Sequence, residues 1–245
     1  MSFIPYIQPI HDIKNNICIG GEILARQILP GNKLLMPSEF IQKIHNRNGL
    51  SILTKEIIRE IEKWFSKSIQ MLPDNFILSI NIPPSLVTQQ WLLTALHHLM
   101  ISSNRKIRLI VELTETAPFP IECPVFYKSL SCIRESGIKI ALDDFGTGYS
   151  NLCLLQKIKV DYIKIPRNFI AHMTICSISL EIINCIISLC EKTGIDIIAE
   201  GIENIEHETI IRNKGIHLAQ GFWYGKPMSK EDFLNYAVHF GLMGR

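Results

Sequence analysis

The sequence predicts an α/β fold, a (β/α)8 barrel of the TIM type with one antiparallel strand near the N-terminus. Eight short apolar runs recur along the chain, helical patterns separate most of them, and most runs are continuously apolar. Continuous apolar runs are typical of strands that helices cover on both faces, as in parallel sheets. The length of 245 residues suits such a barrel as a single domain. A doubly wound open sheet is the alternative fold.

The predicted elements alternate along the chain, and the first two strands are the closest pair. The predicted strands cover residues 6–10, 17–24, 76–82, 107–113, 138–142, 160–165, 195–199 and 216–219. Only Asn15 and Asn16 serve as turn residues between the first two strands, so we expect a hairpin with one antiparallel strand. The predicted helices cover residues 37–48, 53–69, 85–100, 124–135, 175–192, 205–213 and 230–240. Pro37, Pro84 and Pro124 lie at or near helix starts, where the missing N–H costs little.

Composition and charge exclude several classes of protein. Hydrophobic residues make up 47% of the chain and charged residues 20%, which excludes a disordered or low-complexity chain. Lys plus Arg total 25 and Asp plus Glu total 23, so the net charge is +2. That charge is too weak to indicate a nucleic acid or an acidic membrane as the main partner. The N-terminus lacks the pattern of a signal peptide, and no apolar run reaches membrane-spanning length.

The cysteines and the chain organisation predict one cytoplasmic domain. Seven cysteines, without a CxxC pair, argue against a disulfide framework and a zinc ribbon. Free thiols in a reducing compartment are the simpler interpretation, so we expect a cytoplasmic protein. No linker, repeat or charge block divides the chain, and residues 1–245 are therefore predicted to form a single domain.

Polar side chains follow the predicted strands at the points where the strands end. The residues are Glu22, Asn81, Glu112, Asp143, Asp144, Lys164, Glu200 and Gln220. The C-terminal ends of barrel strands form the active-site face, so these side chains are expected to converge. The carboxylates would repel each other, and hard oxygen ligands of this kind suit Mg²⁺ or Mn²⁺. A shared carboxylate such as Asp143 can bridge two ions about 3.5–4 Å apart, which favours metal-assisted hydrolysis of a phosphate ester.

Seven motifs, in this order, resemble those of the EAL domain family, which are bacterial phosphodiesterases of cyclic di-GMP. They are EILAR at residues 22–26, SINI at 79–82, ELTE at 112–115, DDFGTGYS at 143–150, VDYIKI at 160–165, AEGIE at 199–203 and AQGF at 219–222. The resemblance runs from Gln8 to Pro227. It implies metal-dependent hydrolysis of cyclic di-GMP to linear pGpG, in which two divalent cations, Mg²⁺ or Mn²⁺, activate water.

The resemblance also implies the metal ligands and the catalytic set. Glu22, Asn81, Glu112 and Asp143 match the ligands of one metal, and Asp143, Asp144 and Glu200 match those of the second. Lys164 matches a lysine that binds and helps to activate the attacking water, and neighbouring cations are expected to lower its pKa. Gln220 matches a residue that supports the second metal through water. The predicted catalytic residues are Glu22, Lys164, Glu200 and Gln220.

Three further residues take roles by resemblance outside the metal ligands. Arg26 matches an arginine that contacts a substrate phosphate, a role suited to its bidentate fork. Glu203 matches a glutamate with a supporting role at the substrate, and Glu115 matches an anchor of the loop that follows the paired aspartates. That loop is expected to couple the metal site to a homodimer interface.

Departures from the family pattern leave other interpretations open. Pro166 stands where the family usually has Asp, which removes a carboxylate near the site and stiffens the loop, and Gln27 stands where an aromatic residue is common. A catalytically weak or inactive member, acting as a cyclic di-GMP receptor or as a regulator that binds a protein partner, is the second hypothesis. A barrel enzyme for another phosphate ester is the third.

The candidate residues also have purely structural interpretations. Strand-end acids can simply cap helices, and Lys164 can be a structural ion-pair partner. The aromatic residues 222–224 either line the site or close the barrel.

Overall fold

Eight strands close into a barrel in the described part of a computed structural model, which covers residues 2–31, 33–44, 47–114, 118–148, 150 and 152–242. The strands are β1 (Ser2–Asp12), β2 (Ile17–Ile28), β3 (Leu34–Leu35), β4 (Phe76–Ile82), β5 (Ile107–Leu113), β6 (Lys139–Leu142), β7 (Tyr162–Ile165), β8 (Asp196–Ala199) and β9 (Leu218–Gln220). Their order is β1-β9-β8-β7-β6-β5-β4-β2, and β1 pairs with β2 to close the barrel, whereas β3 pairs with β2 on the outside. The predicted barrel is confirmed, and the open-sheet alternative is wrong.

The first strand is the antiparallel one. β1 runs antiparallel to both β2 and β9, whereas the other neighbours in the barrel run parallel to each other. The Asp12 carboxylate accepts hydrogen bonds from the N–H groups of Lys14 at 2.9 Å and Asn15 at 3.1 Å, which shapes the hairpin turn. Asn16 takes a φ of 55°, a left-handed conformation that asparagine tolerates. The predicted hairpin is therefore confirmed.

Helices lie between the strands, and two short ones, at residues 152–157 and 167–172, were not predicted. They are α1 (Pro37–Ile44), α2 (Arg47–Ser68), α3 (Gln90–Ser102), α4 (Pro124–Glu135), α5 (Leu152–Lys157), α6 (Arg167–His172), α7 (Ser177–Thr193), α8 (Ile205–Asn213) and α9 (Lys230–Leu242), with 3₁₀ turns at Ile69–Met71 and Pro84–Leu86. Pro37 and Pro124 begin α1 and α4 as predicted. Pro84 instead begins a 3₁₀ turn, so α3 starts at Gln90 rather than at residue 85. None of the described helices has the length and apolar character needed to cross a membrane.

An apolar layer inside the barrel forms the floor of the site. It consists of Ile10, Ile77, Ile110, Ala141, Tyr162 and Ile198, one from each of six strands. Side chains on a strand alternate between its two faces, so the residue two positions further along faces the same interior. In the five parallel strands of this set, that residue is Ser79, Glu112, Asp143, Lys164 or Glu200. The fold therefore stacks a polar layer on an apolar one at the C-terminal end of the barrel.

None of the seven cysteines forms a disulfide bond within the described part of the chain, and Cys18 and Cys190 are buried. Burial raises the pKa of both thiols to about 12, so they remain protonated at neutral pH. These two side chains therefore behave as small apolar groups in the core.

A structural ion-pair network surrounds Asp161, which precedes β7. Arg134 donates two hydrogen bonds of 3.2 Å to the Asp161 carboxylate, and Lys139 donates one of 2.9 Å. The backbone N–H of Ile140 donates a further hydrogen bond at 3.0 Å. Burial acts to raise the pKa of Asp161, but these donors outweigh it and hold the pKa below its ordinary value. Asp161 thus links α4 to β6 and β7 on the face opposite the site.

Replacing Asp161 by Asn is expected to lower the free energy of unfolding by about 1–3 kcal/mol at neutral pH, because hydrogen bonds to a charged acceptor are lost. A depressed folded-state pKa contributes stability above the unfolded pKa of about 3.9, and this stability disappears as the pH falls through the folded-state pKa. The difference between parent and variant should therefore shrink below about pH 4. Urea unfolding at neutral and acidic pH measures this difference in the free energy of unfolding. Asp74→Asn is the control, because the Asp74 side chain is 77% exposed; an equal loss in that variant would contradict the argument.

Candidate active site

The ammonium group of Lys164 lies at the centre of a carboxylate cluster. Lys164 is 1% exposed, and its Nζ lies 2.6 Å from Glu200 Oε1 and 2.8 Å from Glu112 Oε2. The same Nζ lies 3.1 Å from Asp143 Oδ1 and 3.2 Å from Glu22 Oε2. One positive charge thus faces four carboxylates that come from four different strands or strand ends. When all are ionised, the cluster carries a clear excess of negative charge.

Amide and hydroxyl groups orient the carboxylates. Asn81 Nδ2 donates to Glu22 Oε1 at 2.7 Å, and Gln220 Nε2 donates to Glu22 Oε2 at 2.7 Å and to Glu200 Oε1 at 3.1 Å. The Ser79 hydroxyl donates to Glu112 Oε1. Ser79 was not among the predicted site residues, although the alternation along β4 places it on the same face as Asn81. These donors fix the carboxylate oxygens before any ligand binds.

The charge excess shifts the pKa of most of the acids upward. Burial raises the pKa of Glu112 well above its ordinary value, and the charges of Glu22 and Asp143 add to the effect. Burial likewise raises the pKa of Glu200 to about 8 and raises that of Asp143, in spite of the attraction of Lys164. Glu22 behaves differently: burial opposes its ionisation, but Lys164 and the donated hydrogen bonds lower its pKa. Glu22 is therefore the carboxylate that the metal-free cluster keeps ionised most readily.

The pKa of Lys164 among these carboxylates is shifted upward, whereas the expected shift beside metal cations was downward. Burial acts to lower its pKa, but the carboxylates of Asp143, Glu112 and Glu200 outweigh burial and raise the pKa well above its ordinary value. The expectation of a lowered pKa assumed cations beside the amine, and carboxylates alone reverse it. Among these carboxylates Lys164 is therefore held as an ammonium group, and it donates hydrogen bonds to Glu22 and Glu112.

The donor set fits divalent cations. Asp143, Asp144 and Glu200 each offer an oxygen atom, and these atoms all lie within 4.8 Å of one another. Asp144 takes a φ of 47° in the turn after β6, a conformation that only short polar side chains and glycine adopt readily. Gln220 Oε1 is buried and has no hydrogen-bond partner among the described residues. Clustered carboxylates and an unpartnered amide oxygen are ligands that a hydrated Mg²⁺ or Mn²⁺ would satisfy.

Comparison with known proteins gives the family. The family model of the EAL domain matches residues 1–227 of this chain. The chain belongs to the EAL domain family. Cyclic di-GMP phosphodiesterase PdeL of Escherichia coli is 32% identical over 236 residues, which make up 95% of this chain and 64% of PdeL. The chain thus spans less than two thirds of the length of that relative.

Solved EAL structures share the fold. The cAMP- and cyclic-di-GMP-bound form of the EAL enzyme Bd1971 has a TM-score of 0.87 at 28% identity, over 96% of this chain and 65% of that chain. The manganese and cyclic-di-GMP complex of BlrP1 from Klebsiella pneumoniae has a TM-score of 0.73 at 26% identity, over 93% of this chain and 56% of that chain. Both structures hold cyclic di-GMP, and the second also holds a divalent metal.

Arg26 of this EAL domain follows Glu22 on β2, but its side chain is not part of the carboxylate cluster. It is buried, its Nη1 donates to the Ala25 carbonyl at 2.8 Å, and its guanidinium lies 5.2 Å from the centre of the Tyr6 ring. The predicted phosphate contact of Arg26 stays a prediction. The ring of Tyr6 supports the guanidinium through a cation–π contact that the sequence analysis missed.

Glu203 pairs with a neighbour instead of joining the cluster. Its Oε1 lies 2.7 Å from Arg167 Nη2, and both residues line a cavity of about 140 Å³ together with Glu200 and Gln220. The supporting role of Glu203 at the substrate stays a prediction. Glu115, the predicted loop anchor, lies outside the described residues.

A second cavity of about 480 Å³ opens beside the carboxylates of the EAL domain. Glu22, Asn81, Asp143 and Asp144 line one side of it. The other side is largely apolar and comes mostly from α1, α2 and the end of β2, including Ile41, Leu50, Leu53 and Ile57. Neither Gln27 nor Pro166 lines this cavity. The cleft therefore combines an acidic wall, which suits cations, with an apolar wall, which suits a flat ring.

Proposed function

We propose that this EAL domain hydrolyses cyclic di-GMP to linear pGpG with two divalent cations, Mg²⁺ or Mn²⁺. The observation that carries the proposal is the set of four carboxylates around the Lys164 ammonium. Relatives support the choice of substrate, because PdeL is a cyclic di-GMP phosphodiesterase and Bd1971 binds cyclic di-GMP. The manganese in BlrP1 supports the choice of metal.

Charge balance supports two cations rather than one. Glu22, Glu112, Asp143, Asp144 and Glu200 carry five negative charges when ionised, and Lys164 carries one positive charge. Two divalent cations neutralise the remaining four charges, whereas one leaves two uncompensated negative charges in the cluster. In this proposal Glu22, Asn81, Glu112 and Asp143 hold one cation, and Asp143, Asp144 and Glu200 hold the other.

The chain's own residues orient the reactants in this proposal. Bound divalent cations supply Lewis acidity, which favours water as a nucleophile and stabilises charge on the phosphate. Lys164 donates hydrogen bonds to the carboxylates of Glu22 and Glu112, and in this proposal it also orients the attacking water as a hydrogen-bond donor. Gln220 ties Glu22 to Glu200 through its amide N–H group, while its buried Oε1 is directed to accept from water. Arg26 supplies a fork for a non-reacting phosphate oxygen.

Turnover of cyclic di-GMP by the purified chain tests the proposal. Chromatography should detect pGpG in the presence of Mn²⁺ or Mg²⁺, and Glu22→Gln should lose this activity because a metal ligand becomes neutral. Glu191→Gln is the matched control, because Glu191 is exposed on α7. Equal turnover of generic phosphodiesters would instead favour a barrel enzyme for another phosphate ester, and no turnover of any ester would contradict hydrolysis.

Pro166 favours a second candidate function, a receptor that binds cyclic di-GMP without cutting it. Pro166 is buried directly after β7, and its carbonyl accepts the N–H of Phe169 at 3.1 Å as α6 begins. It thus places a rigid ring two residues after Lys164. Calorimetric binding without pGpG formation would support the receptor. Turnover in Pro166→Asp but not in the parent would identify Pro166 as the cause.

We also propose that residues 1–245 form one cytoplasmic domain that assembles as a homodimer. Phe233 of α9 packs against the rings of Trp64 at 6.2 Å and Phe76 at 5.9 Å, which joins the C-terminal helix to the barrel. Seven cysteines without a disulfide bond among the described residues suit a reducing compartment. Leu152 in α5, just after the loop that follows the paired aspartates, is 62% exposed and is a candidate interface residue. Sedimentation of the parent and of Leu152→Glu would test the dimer.

A further inference from the structure

We propose that Glu208 is a positioning residue, which holds an aromatic turn against the active site and thereby sets the affinity for substrate. The aromatic turn consists of Gly221, Phe222, Trp223 and Tyr224, directly after Gln220. The part of the inference that concerns substrate rests on the proposed hydrolysis of cyclic di-GMP. The sequence analysis left open whether this turn lines the site or closes the barrel.

Backbone hydrogen bonds tie the inner side of the aromatic turn to the segment after Glu200. Trp223 N–H donates to the Ile202 carbonyl at 2.9 Å, and Ile202 N–H donates to the Gln220 carbonyl at 3.1 Å. A Cβ atom on Gly221 would lie 2.1 Å from the Ile202 carbonyl oxygen, so only glycine fits there. These bonds therefore hold the turn beside the segment that carries Glu200, and the turn itself follows Gln220 directly.

Phe222 brings the aromatic turn to the site. Its side chain lines the cavity of about 140 Å³ together with Gln8, Glu200 and Gln220. The residue is 51% exposed, and Lys226 Nζ lies 5.4 Å from the centre of its ring. A ligand that reaches Glu200 from this side meets the Phe222 ring. The position of that ring should therefore influence substrate binding more than the chemical step.

Glu208 holds the outer side of the aromatic turn. The residue is buried on α8, and its Oε2 accepts hydrogen bonds from Trp223 Nε1 at 2.9 Å and from the Tyr224 hydroxyl at 3.0 Å. Arg212 Nη2 pairs with the other carboxylate oxygen. One oxygen thus receives two donors from consecutive residues of the turn. These two bonds fix the directions of both side chains, and Phe222 precedes them immediately in the chain.

Tyr224 is also fixed from the side of the barrel. Its ring stacks on His11 at 4.5 Å, and the Tyr236 hydroxyl donates to its carbonyl at 2.7 Å. Because that hydroxyl has only one proton, it must accept from His11 Nε2, which lies 2.8 Å away. Burial lowers the pKa of His11 to about 4, against the attraction of Glu208, so the ring is neutral at pH 7. Tyr224 is the fixed end of the turn, and loss of Glu208 should displace Trp223 and Phe222.

Replacing Glu208 by Leu tests the inference against two matched variants. Glu208→Leu keeps the size and removes the acceptor, and we expect KM for cyclic di-GMP to rise about tenfold with kcat within about twofold. Glu208→Gln keeps one oxygen for both donors, and Arg212→Gln removes only the ion pair. Both should therefore keep a KM within about twofold of the parent. A lower kcat with unchanged KM in Glu208→Leu would indicate partial unfolding alone and would overturn the inference.

Acrylamide quenching of Trp223 fluorescence gives a readout that does not depend on turnover. Trp223 is 47% exposed, and the signals of Trp64 and Trp91 are subtracted with a Trp223→Phe variant. Glu208→Leu should increase the quenching of Trp223, whereas Glu208→Gln should leave it unchanged. If the parent shows no hydrolysis, the proposed function fails but quenching still decides whether Glu208 holds the turn. Unchanged quenching in Glu208→Leu would overturn the positioning role.

Discussion

Replacing Lys164 by Met is expected to lower kcat for cyclic di-GMP hydrolysis by about 10³-fold, because a hydrogen-bond donor to the attacking water is lost. The same change removes the ammonium group that contacts Glu22, Glu112, Asp143 and Glu200. In the presence of a chelator, the free energy of unfolding should fall by about 3–5 kcal/mol, because buried carboxylates lose their counter-charge. Steady-state kinetics and chemical unfolding measure the two effects separately.

Divalent cations should separate the two roles of Lys164. Saturating Mn²⁺ should restore much of the stability of Lys164→Met, because cations neutralise the same carboxylates, but it should not restore kcat. Lys159→Met is the control, because Lys159 is exposed before β7 and its loss should change neither quantity. A kcat within about tenfold of the parent would show that Lys164 is only a structural ion-pair partner.

The barrel was predictable because its strands are buried on both faces. Runs such as Ile107–Leu113 carry an apolar pattern that needs no tertiary information. The ends of elements were less predictable. Ile216 is buried but precedes β9, so its hydrophobicity moved the predicted start of that strand too early. The helices α5 and α6 have six residues each, which is too short for a helical period to show.

The carboxylate cluster was predictable for a geometric reason, and its surroundings were not. Strand ends of a parallel barrel meet on one face, so Glu112, Lys164 and Glu200 had to converge once the strands were known. The contact between Arg26 and Tyr6 depends on the register of β1 against β2, and a bulge at Ile10 and His11 shifts that register. No sequence pattern marks such a bulge. The Glu208 contacts likewise join α8 to the turn after β9 through tertiary packing alone.

Replacing Asp143 by Asn is expected to change stability in opposite directions with and without Mn²⁺. Without metal, the variant removes a partly buried charge that desolvation and the charge of Glu22 disfavour, and the Asn oxygen can still accept from Lys164. The free energy of unfolding should then rise by about 1 kcal/mol. With Mn²⁺ at roughly 100 times Kd, the parent gains about 2.7 kcal/mol from mass action. The variant should lose most of this gain, and kcat should fall about 10³-fold, because the proposed shared ligand of both cations is weakened.

Thermal unfolding of parent and Asp143→Asn in chelator and in Mn²⁺ decides between a metal ligand and a structural acid. If Asp143 is a metal ligand, the variant should melt at the higher temperature in chelator, because repulsion between the acids dominates there. The parent should melt at the higher temperature in Mn²⁺, because coordination of the ion dominates. Asp196→Asn is the control, because Asp196 is exposed at the start of β8, and its response to Mn²⁺ should match that of the parent. If Asp143→Asn is less stable than the parent to the same extent in both conditions, Asp143 serves the fold and not the metal.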